Sequence, residues 1–487
     1  MQVTRTGTFL QPNSSRVLYR SFEPGHPNRT MKIVARVMEL PEAEIERLLH
    51  EVLSEFHGRH QRLLAFFHER FEAVQRHMLT DAPVSEARRL LIGSYFTQEY
   101  AIESAALFNP SLVWHDACAS SAGTRQFIVS LREIGEGHVS SVGFRQGTID
   151  RAGRISIQPP TGYVTAPRVV ATSAYDRGLF IRKLAELGIV DSFVDVVFQE
   201  LPERFTLGEL ERVLGRTGRQ HWPRRKEWEP FAAAIIALAR ANYEIECDPE
   251  SDISERVIFP YSPAETNGIE DARFVRFVEE DGSVHYYATY TAFDGSVTLP
   301  QFVETDDFVR FCVSTLNGPE VANKGMALFP RRINGMYTML SRQDGENIFV
   351  MESDMLHFWH SKRLVLRPTH PWEFVQVGNC GSPLETPAGW LVLTHGVGPM
   401  RKYSIGAVLL DLADPSRVIG RLREPLLSPN ENERSGYVPN VVYSCGSVIH
   451  EGLLVIPYSM SDYATTFATV PLKDVLDAME PRHASSA

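Results

Sequence analysis

Gly268-Ile269-Glu270-Asp271-Ala272-Arg273-Phe274-Val275-Arg276-Phe277 is followed by Asp281-Gly282 and then by Val284-His285-Tyr286-Tyr287-Ala288-Thr289-Tyr290. The second half of the first stretch alternates apolar and basic residues, the period of a half-buried strand. Asp-Gly is a good hairpin turn, so the third stretch reads as the return strand, running on into Thr291-Ala292. Two adjacent carboxylates and a guanidinium then sit at one end of a hairpin. Carboxylates there are costly to bury unless they are paired or used. An Asp–Arg pair capping a turn and a polar working site both fit this stretch taken alone. Strict alternation would send Glu270 and Asp271 to opposite faces, which predicts that only Asp271 reaches a pocket.

The same texture extends outward. Residues 127–132 and 139–145 read as a second hairpin, and short strands punctuated by Gly, Asn, Asp and Pro run from near Val257 to about Val470. Short strands without alternating helices predict a β-propeller or another all-β repeat rather than βα units. Two helical tracts interrupt the pattern. Pro41 opens a helix with Glu42 and Glu44 in its first turn, and Ile45, Leu48, Leu49, Val52, Leu53 and Phe56 recur at helical spacing. Residues 63–78 repeat this with Leu64, Phe67, Phe71 and Val74, a packing face rather than a ligand box. His57, His60, His68 and His77 read as surface positions there. Residues 177–187, 191–200, 207–214 and 228–241 form the second tract, residues 472–479 a terminal helix, and residues 483–487 a disordered tail.

At 487 residues the chain can bury a large core. A net charge of −11 argues against a general nucleic-acid or anionic-membrane binder, although not against a local anion pocket. Met1-Gln2-Val3-Thr4-Arg5-Thr6 lacks the apolar core of a signal peptide, and no apolar run is long enough to span a bilayer, so a cytoplasmic protein is expected. Cys118, Cys247, Cys312, Cys380 and Cys445 are odd in number and scattered. They read as reduced, mostly buried thiols with no metal-ligand spacing.

Polar clusters recur at strand ends: Phe108-Asn109-Pro110-Ser111, Arg132 in the 130–138 connection, Asn323-Lys324, Ser341-Arg342, Thr394-His395, Tyr403, Pro439-Asn440 and Ser461-Asp462. Singly each is ordinary; a strand-end His is usually a hydrogen-bonded structural residue, and a surface Arg pair is worth little. Around one axis they would place carboxylates and amides suited to a sugar beside cations suited to phosphate.

The motif order Phe-Asn-Pro, Gly-Ile-Glu-Asp-Ala-Arg, Tyr-Thr-Ala, Leu-Phe-Pro, Met-Leu-Ser-Arg, Gly-Trp-Leu-Val-Leu-Thr-His-Gly-Val and Val-Pro-Asn-Val-Val resembles glycoside hydrolase family 130. That family comprises mannoside phosphorylases and a smaller set of β-mannosidases on a five-bladed β-propeller. The resemblance covers roughly residues 105–150 and 255–475. It implies a mainly β fold: a five-bladed β-propeller over 106–480, an N-terminal helical extension over 1–105 and a helical insert near 165–250. It implies Asp271 as the general acid, acting through a hydroxyl of the mannosyl ring. Asn109, Arg132, Arg273 and Asp462 would line the mannosyl pocket; Lys324, Arg342, His395 and Tyr403 would hold phosphate. Glu270 would anchor the turn or bind a sugar hydroxyl. Gln376 departs from a common phosphate-binding Lys, and Ala105-Ala106 from a more polar pair.

The implied reaction is inverting cleavage of a β-linked mannoside, disaccharide or oligosaccharide, by inorganic phosphate to give α-mannose 1-phosphate. No metal or other cofactor is implied, and homo-oligomerisation is left open. An inverting hydrolase needs a second carboxyl as base, whereas phosphorolysis needs cations and donors for the nucleophile. The expected anion wall holds no carboxylate, which favours phosphorolysis. Glu385 keeps hydrolysis open as a base in a rearranged pocket, and a non-catalytic carbohydrate-binding propeller is the third reading.

Overall fold

A computed structural model describes residues 2–481 except 79, 81, 116–122, 171–173, 190–191, 221–224 and 294–297. Cys118, the expected helix start at Asp191 and the tail 483–487 lie outside the described residues.

The expected hairpin forms as Ile269–Val278 against Val284–Phe293, antiparallel, with Gly282 at φ 84 in the turn. It leads a six-stranded sheet that continues through Thr298–Thr305, Arg310–Thr315, Tyr243–Glu246 and Arg168–Val169. Four more sheets of four to six strands begin at Ala106–Trp114, Lys324–Leu328, Gln376–Asn379 and Val442–Tyr443, and two two-stranded ribbons complete the set. Each of these five leading strands is the edge of its sheet, and hydrogen bonds join several of the sheets. Phe274 N–H donates to Ser111 Oγ at 3.0 Å, the Thr289 hydroxyl donates to the Met326 carbonyl, and Cys445 N–H donates to the Pro110 carbonyl at 2.8 Å.

This corrects the expected mainly β, five-bladed propeller. Among the described residues the fold is mixed α/β, with nine α-helices and seven separate open sheets, none closed into a barrel or propeller. The physical reason lies in what the pattern reports. Period-2 alternation with turn residues identifies strands paired with their chain neighbours, and carries nothing about closure between sheets.

The helices are built around cores of their own. Glu42–Phe56, Leu63–Val74 and Glu86–Tyr95 join Pro27–Met38, a helix that the apolar spacing did not announce, and bury Val34, Val37, Ile45, Phe71, Leu91 and Ile92 together. His60 is buried there rather than exposed, with Nε2 2.8 Å from Glu99 Oε1. Arg177–Glu186, Ser192–Phe198, Leu207–Gln220 and Arg225–Arg240 enclose Phe180, Leu184, Phe193, Phe205, Leu210 and Ile235. At about 1.5–3 kcal/mol per buried large apolar side chain, such clusters sustain helices locally. The second block is fastened to the hairpin's sheet by buried polar contacts. Lys183 Nζ donates to the Leu316 carbonyl at 2.6 Å, and Gln301 Nε2 to the Ala241 carbonyl at 2.9 Å.

Candidate active site

Three of the five edge strands carry a bulge where they approach one another. Register slips between Phe108 and Ser111, between Glu270 and Arg273, and between Lys324 and Ala327. Asn109 (φ 49) and Asp271 (φ 53) occupy left-handed backbone at two of these slips and Asn323 (φ 60) just before the third, as Ser461 (φ 49) and Asp462 (φ 50) do just past Leu453–Met460. Left-handed backbone costs a non-glycine residue about 1–2 kcal/mol, and such strain clusters at functional sites. The bulge also overturns the alternation argument. An extra residue in the strand removes the period of two, so Glu270 and Asp271 both line one cavity of about 310 Å³.

On the carboxylate side, Asp271 Oδ1 accepts from Asn109 Nδ2 at 2.5 Å and Oδ2 from the Tyr443 hydroxyl at 3.4 Å. Arg273 does not line the cavity. It lies buried behind Asp271, its Nη1 donating to the Asp271 carbonyl (3.1 Å) and Nη2 to the Tyr443 hydroxyl (2.6 Å). Glu270 is held by Arg132 at 3.0 Å and more loosely by Lys324 at 3.9 Å. Burial pushes the Asp271 carboxyl up, but the charges of Arg273, Lys324 and Arg132, with the Asn109 hydrogen bond, outweigh it and leave the group below its usual range. Asp462 goes the other way. Burial first, and then the neighbouring Asp271 charge, push it up to about 7 against the pull of Arg132 and Arg401.

The opposite side is cationic and aromatic. Arg342 Nη1 lies 3.2 Å from His395 Nε2. A guanidinium only donates, so Nε2 accepts and the imidazole is neutral. Burial, with Arg342, Arg273 and Lys324 nearby, holds His395 well below its usual pKa. Its ring stacks on Tyr403 (5.9 Å between centroids, 14° between planes), and Gln376 Nε2 donates to the Tyr403 hydroxyl at 3.4 Å. Gly378 makes room for the pair, because a Cβ there would lie 2.4 Å from His395 Cε1. The Nε atoms of Arg132, Arg273 and Arg342 are buried with no hydrogen-bond partner among the described residues.

The structure thus gathers Asn109, Arg132, Asp271, Lys324, Arg342, His395, Tyr403 and Asp462 around one cavity, with Arg273 one layer behind. Glu385 is elsewhere: it forks onto Arg331 at 2.6 and 2.9 Å and lines a different cavity. Tyr443 and Arg401 also line the site, and the sequence pattern does not single them out. Val441-Val442-Tyr443 reads as plain strand, and Arg401 in Pro399-Met400-Arg401-Lys402 as a surface charge. A larger cavity of about 430 Å³ lies between Arg177–Glu186 and Arg310–Thr315. Of its charged groups, Lys183 pairs with Glu186 and Glu304 with His357. Among the described residues no group of three or more His, Cys, Asp or Glu could hold a metal ion, and no helix is long and apolar enough to cross a membrane.

Residues 219–481 match a family model, Glyco_hydro_130, described as beta-1,4-mannooligosaccharide phosphorylase. The chain is 36% identical over 256 residues to a 1,2-beta-oligomannan phosphorylase of Thermoanaerobacter sp. (strain X514), spanning 50% of this chain and 83% of that protein. It is also 36% identical over 205 residues to a beta-1,2-mannobiose phosphorylase of the same strain, spanning 41% of this chain and 66% of that protein. A solved beta-1,2-mannobiose phosphorylase from Listeria innocua, in complex with beta-1,2-mannobiose, aligns over 78% of this chain and 92% of its own, at 20% identity and a TM-score of 0.47.

Proposed function

The chain belongs to glycoside hydrolase family 130, and from that premise we propose that it cleaves a β-linked mannoside with inorganic phosphate, inverting the anomeric centre to release α-mannose 1-phosphate. The observation that carries this reading is the division of one cavity into two walls. Asp271, Asn109 and Arg132 line it with Lys324, Arg342, Tyr403 and a neutral His395, and the carboxylate beside those cations, Glu270, is tied to Arg132 and Lys324 rather than placed as a base toward water.

Phosphate seats against Lys324, Arg342, His395 and Tyr403, where the Arg342 guanidinium, the Lys324 ammonium and the Tyr403 hydroxyl donate to its oxygens and the neutral His395 holds the guanidinium by accepting from it. The mannosyl unit lies against Asn109, Arg132 and Asp462. One phosphate oxygen attacks C1 from the face opposite the leaving oxygen, so that the C1–O–P bond forms as the glycosidic bond breaks. The departing oxygen takes a proton that starts on Asp271 and passes through a mannosyl hydroxyl.

The resting site holds Asp271 ionised, through charges that include Lys324. Phosphate at Lys324 offsets that charge and adds a like charge near Asp271, so the carboxyl rises and takes up a proton as the nucleophile arrives. The acid is armed only when its partner is in place.

Product analysis on a panel of β-mannosides, with and without phosphate, tests the reading. Wild type should give sugar 1-phosphate only when phosphate is present, and Asp271→Asn should lower turnover by about 10²–10⁴-fold, the usual worth of a positioned acid. Free sugar released at equal rate without phosphate would make the protein a hydrolase.

A further inference from the structure

The cation count on the anion wall leaves phosphate under-compensated. Lys324 shares its charge with Glu270 at 3.9 Å, His395 is neutral, and Gln376 and Tyr403 carry no charge. Of that wall's side chains, Arg342 is left as the one cation with no carboxylate partner among the described residues. Desolvating a phosphate carrying one to two negative charges against one free cation is unfavourable; sites for such anions offset the cost with several charge-assisted donors.

Arg401 lines the same cavity from the connection between Gly389–Val397 and Tyr403–Leu410. It forms no ion pair and no side-chain hydrogen bond among the described residues, and its charge pulls the pKa of the Asp462 carboxyl down. Its backbone is not that of a casual surface loop. Met400 (φ 58) and Arg401 (φ 54) are consecutive non-glycine residues in left-handed conformation, at about 1–2 kcal/mol each.

The surroundings hold that conformation in place. Gly398 N–H donates to the Lys402 carbonyl at 3.0 Å, Lys402 N–H to the Pro399 carbonyl at 3.3 Å, and Tyr403 N–H to the Asn440 carbonyl at 3.0 Å. Gly398 also lies against Trp372, where a Cβ would be 3.1 Å from Trp372 Cα. The turn therefore presents Arg401 from fixed points on both sides, two residues before Tyr403. Met400 points away, 89% exposed, so the strained pair directs one charged side chain to the cavity and leaves the apolar one in solvent.

We propose that Arg401 is the third cation of the phosphate site, engaging from the cavity mouth the phosphate oxygens that Lys324 and Arg342 leave uncovered. The inference rests on the phosphorylase reading. The competing role for Arg401 is as a neighbour of Asp462 on the sugar side, which would make it a mannoside contact.

Calorimetric titration with inorganic phosphate and steady-state kinetics at varied phosphate and varied mannoside separate these on wild type, Arg401→Ala, Arg401→Lys and Lys402→Ala. Arg401→Ala should raise both the phosphate Kd and the phosphate KM at least about tenfold, the worth of one charge-assisted contact, with the mannoside KM within about twofold. Arg401→Lys should recover part of the loss, and Lys402→Ala, which removes an adjacent exposed charge, should bind phosphate as wild type does. A phosphate Kd unchanged in Arg401→Ala, or a mannoside KM that rises in its place, overturns the proposal. Wild type that binds phosphate yet releases no sugar 1-phosphate would remove the phosphorylase reading and leave the Kd comparison to decide Arg401. Wild type that binds no phosphate removes both.

Discussion

Asp271 and Asp462 share a cavity and are driven in opposite directions, one below the usual carboxyl range by guanidinium and ammonium charges, the other up to about 7 by burial beside it. The second shift has a cost with a definite sign. In the unfolded chain Asp462 ionises near its ordinary value of 3.8, whereas in the fold it keeps its proton to about 7. Stability therefore falls as pH rises through that window, and the full penalty is present above it. Asp462→Asn should raise the thermal midpoint by a few degrees at pH 8 and leave it unchanged near pH 4. An equal change at both pH values, followed by scanning fluorimetry, would show that the ionised carboxyl carries no such penalty. Charged side chains at strand ends are legible in the sequence because they are anomalous there. Tyr443 is not, because a Tyr after two Val residues is what any strand prefers.

Bulges decide which side chains those strands offer. The hairpin of Ile269–Val278 with Val284–Phe293 and that of Arg125–Ile134 with Ser140–Ile149 follow from alternation and turn residues. The extra residue at Asp271 leaves no comparable mark, since an apolar–polar pattern contains nothing about backbone hand, and strict alternation accordingly assigns Glu270 to the wrong face. Two glycines flanking the same strand contrast local tolerance with site placement. Gly268 (φ 114) abuts the neighbouring sheet: a Cβ there would lie 2.3 Å from Ser140 Oγ and 2.6 Å from Ser140 N. Ser140 Oγ meanwhile donates to the Ile269 carbonyl at 2.8 Å, so displacement moves the start of the strand that carries Asp271. Gly282 (φ 84), at the hairpin tip, is open: a Cβ there would meet nothing within 4 Å. Gly268→Ala should cost about 2–3 kcal/mol and lower kcat/KM together with stability. Gly282→Ala should cost about 1 kcal/mol and leave kcat/KM at the wild-type level. Chemical denaturation and kinetics on the two variants check this, and equal kinetic losses would detach the Gly268 contact from the site.

Long-range pairing is the least legible feature, because it joins residues whose local patterns say nothing of each other. Thr4–Leu10 pairs with Ala464–Pro471, so the first described strand completes the sheet whose far edge is Val442–Tyr443. Arg5 Nε meets Glu433 Oε1 at 2.7 Å, the Tyr458 hydroxyl donates to the same carboxylate oxygen at 2.6 Å, and the Ser461 hydroxyl donates to the Glu433 carbonyl at 2.6 Å. Ser461 precedes Asp462, and both are in left-handed backbone. The Arg5–Glu433 pair thus anchors the turn that presents Asp462 to the cavity. Burial pushes Glu433 up, but the hydrogen bonds from Arg5 and Tyr458 outweigh it and hold the carboxyl below its ordinary 4.5. Its contribution to stability is therefore present above that value and lost as pH falls through the folded one. Arg5 is partly exposed, so solvent screening trims the pair's worth. Arg5→Ala should cost about 1–2 kcal/mol at pH 7, with the deficit shrinking as Glu433 protonates in acid. Because the turn serves the sugar side, the same variant should raise the mannoside KM and leave the phosphate KM unchanged. A variant equally weakened toward both substrates would mean that the N-terminal strand supports the whole cavity rather than the Asp462 turn.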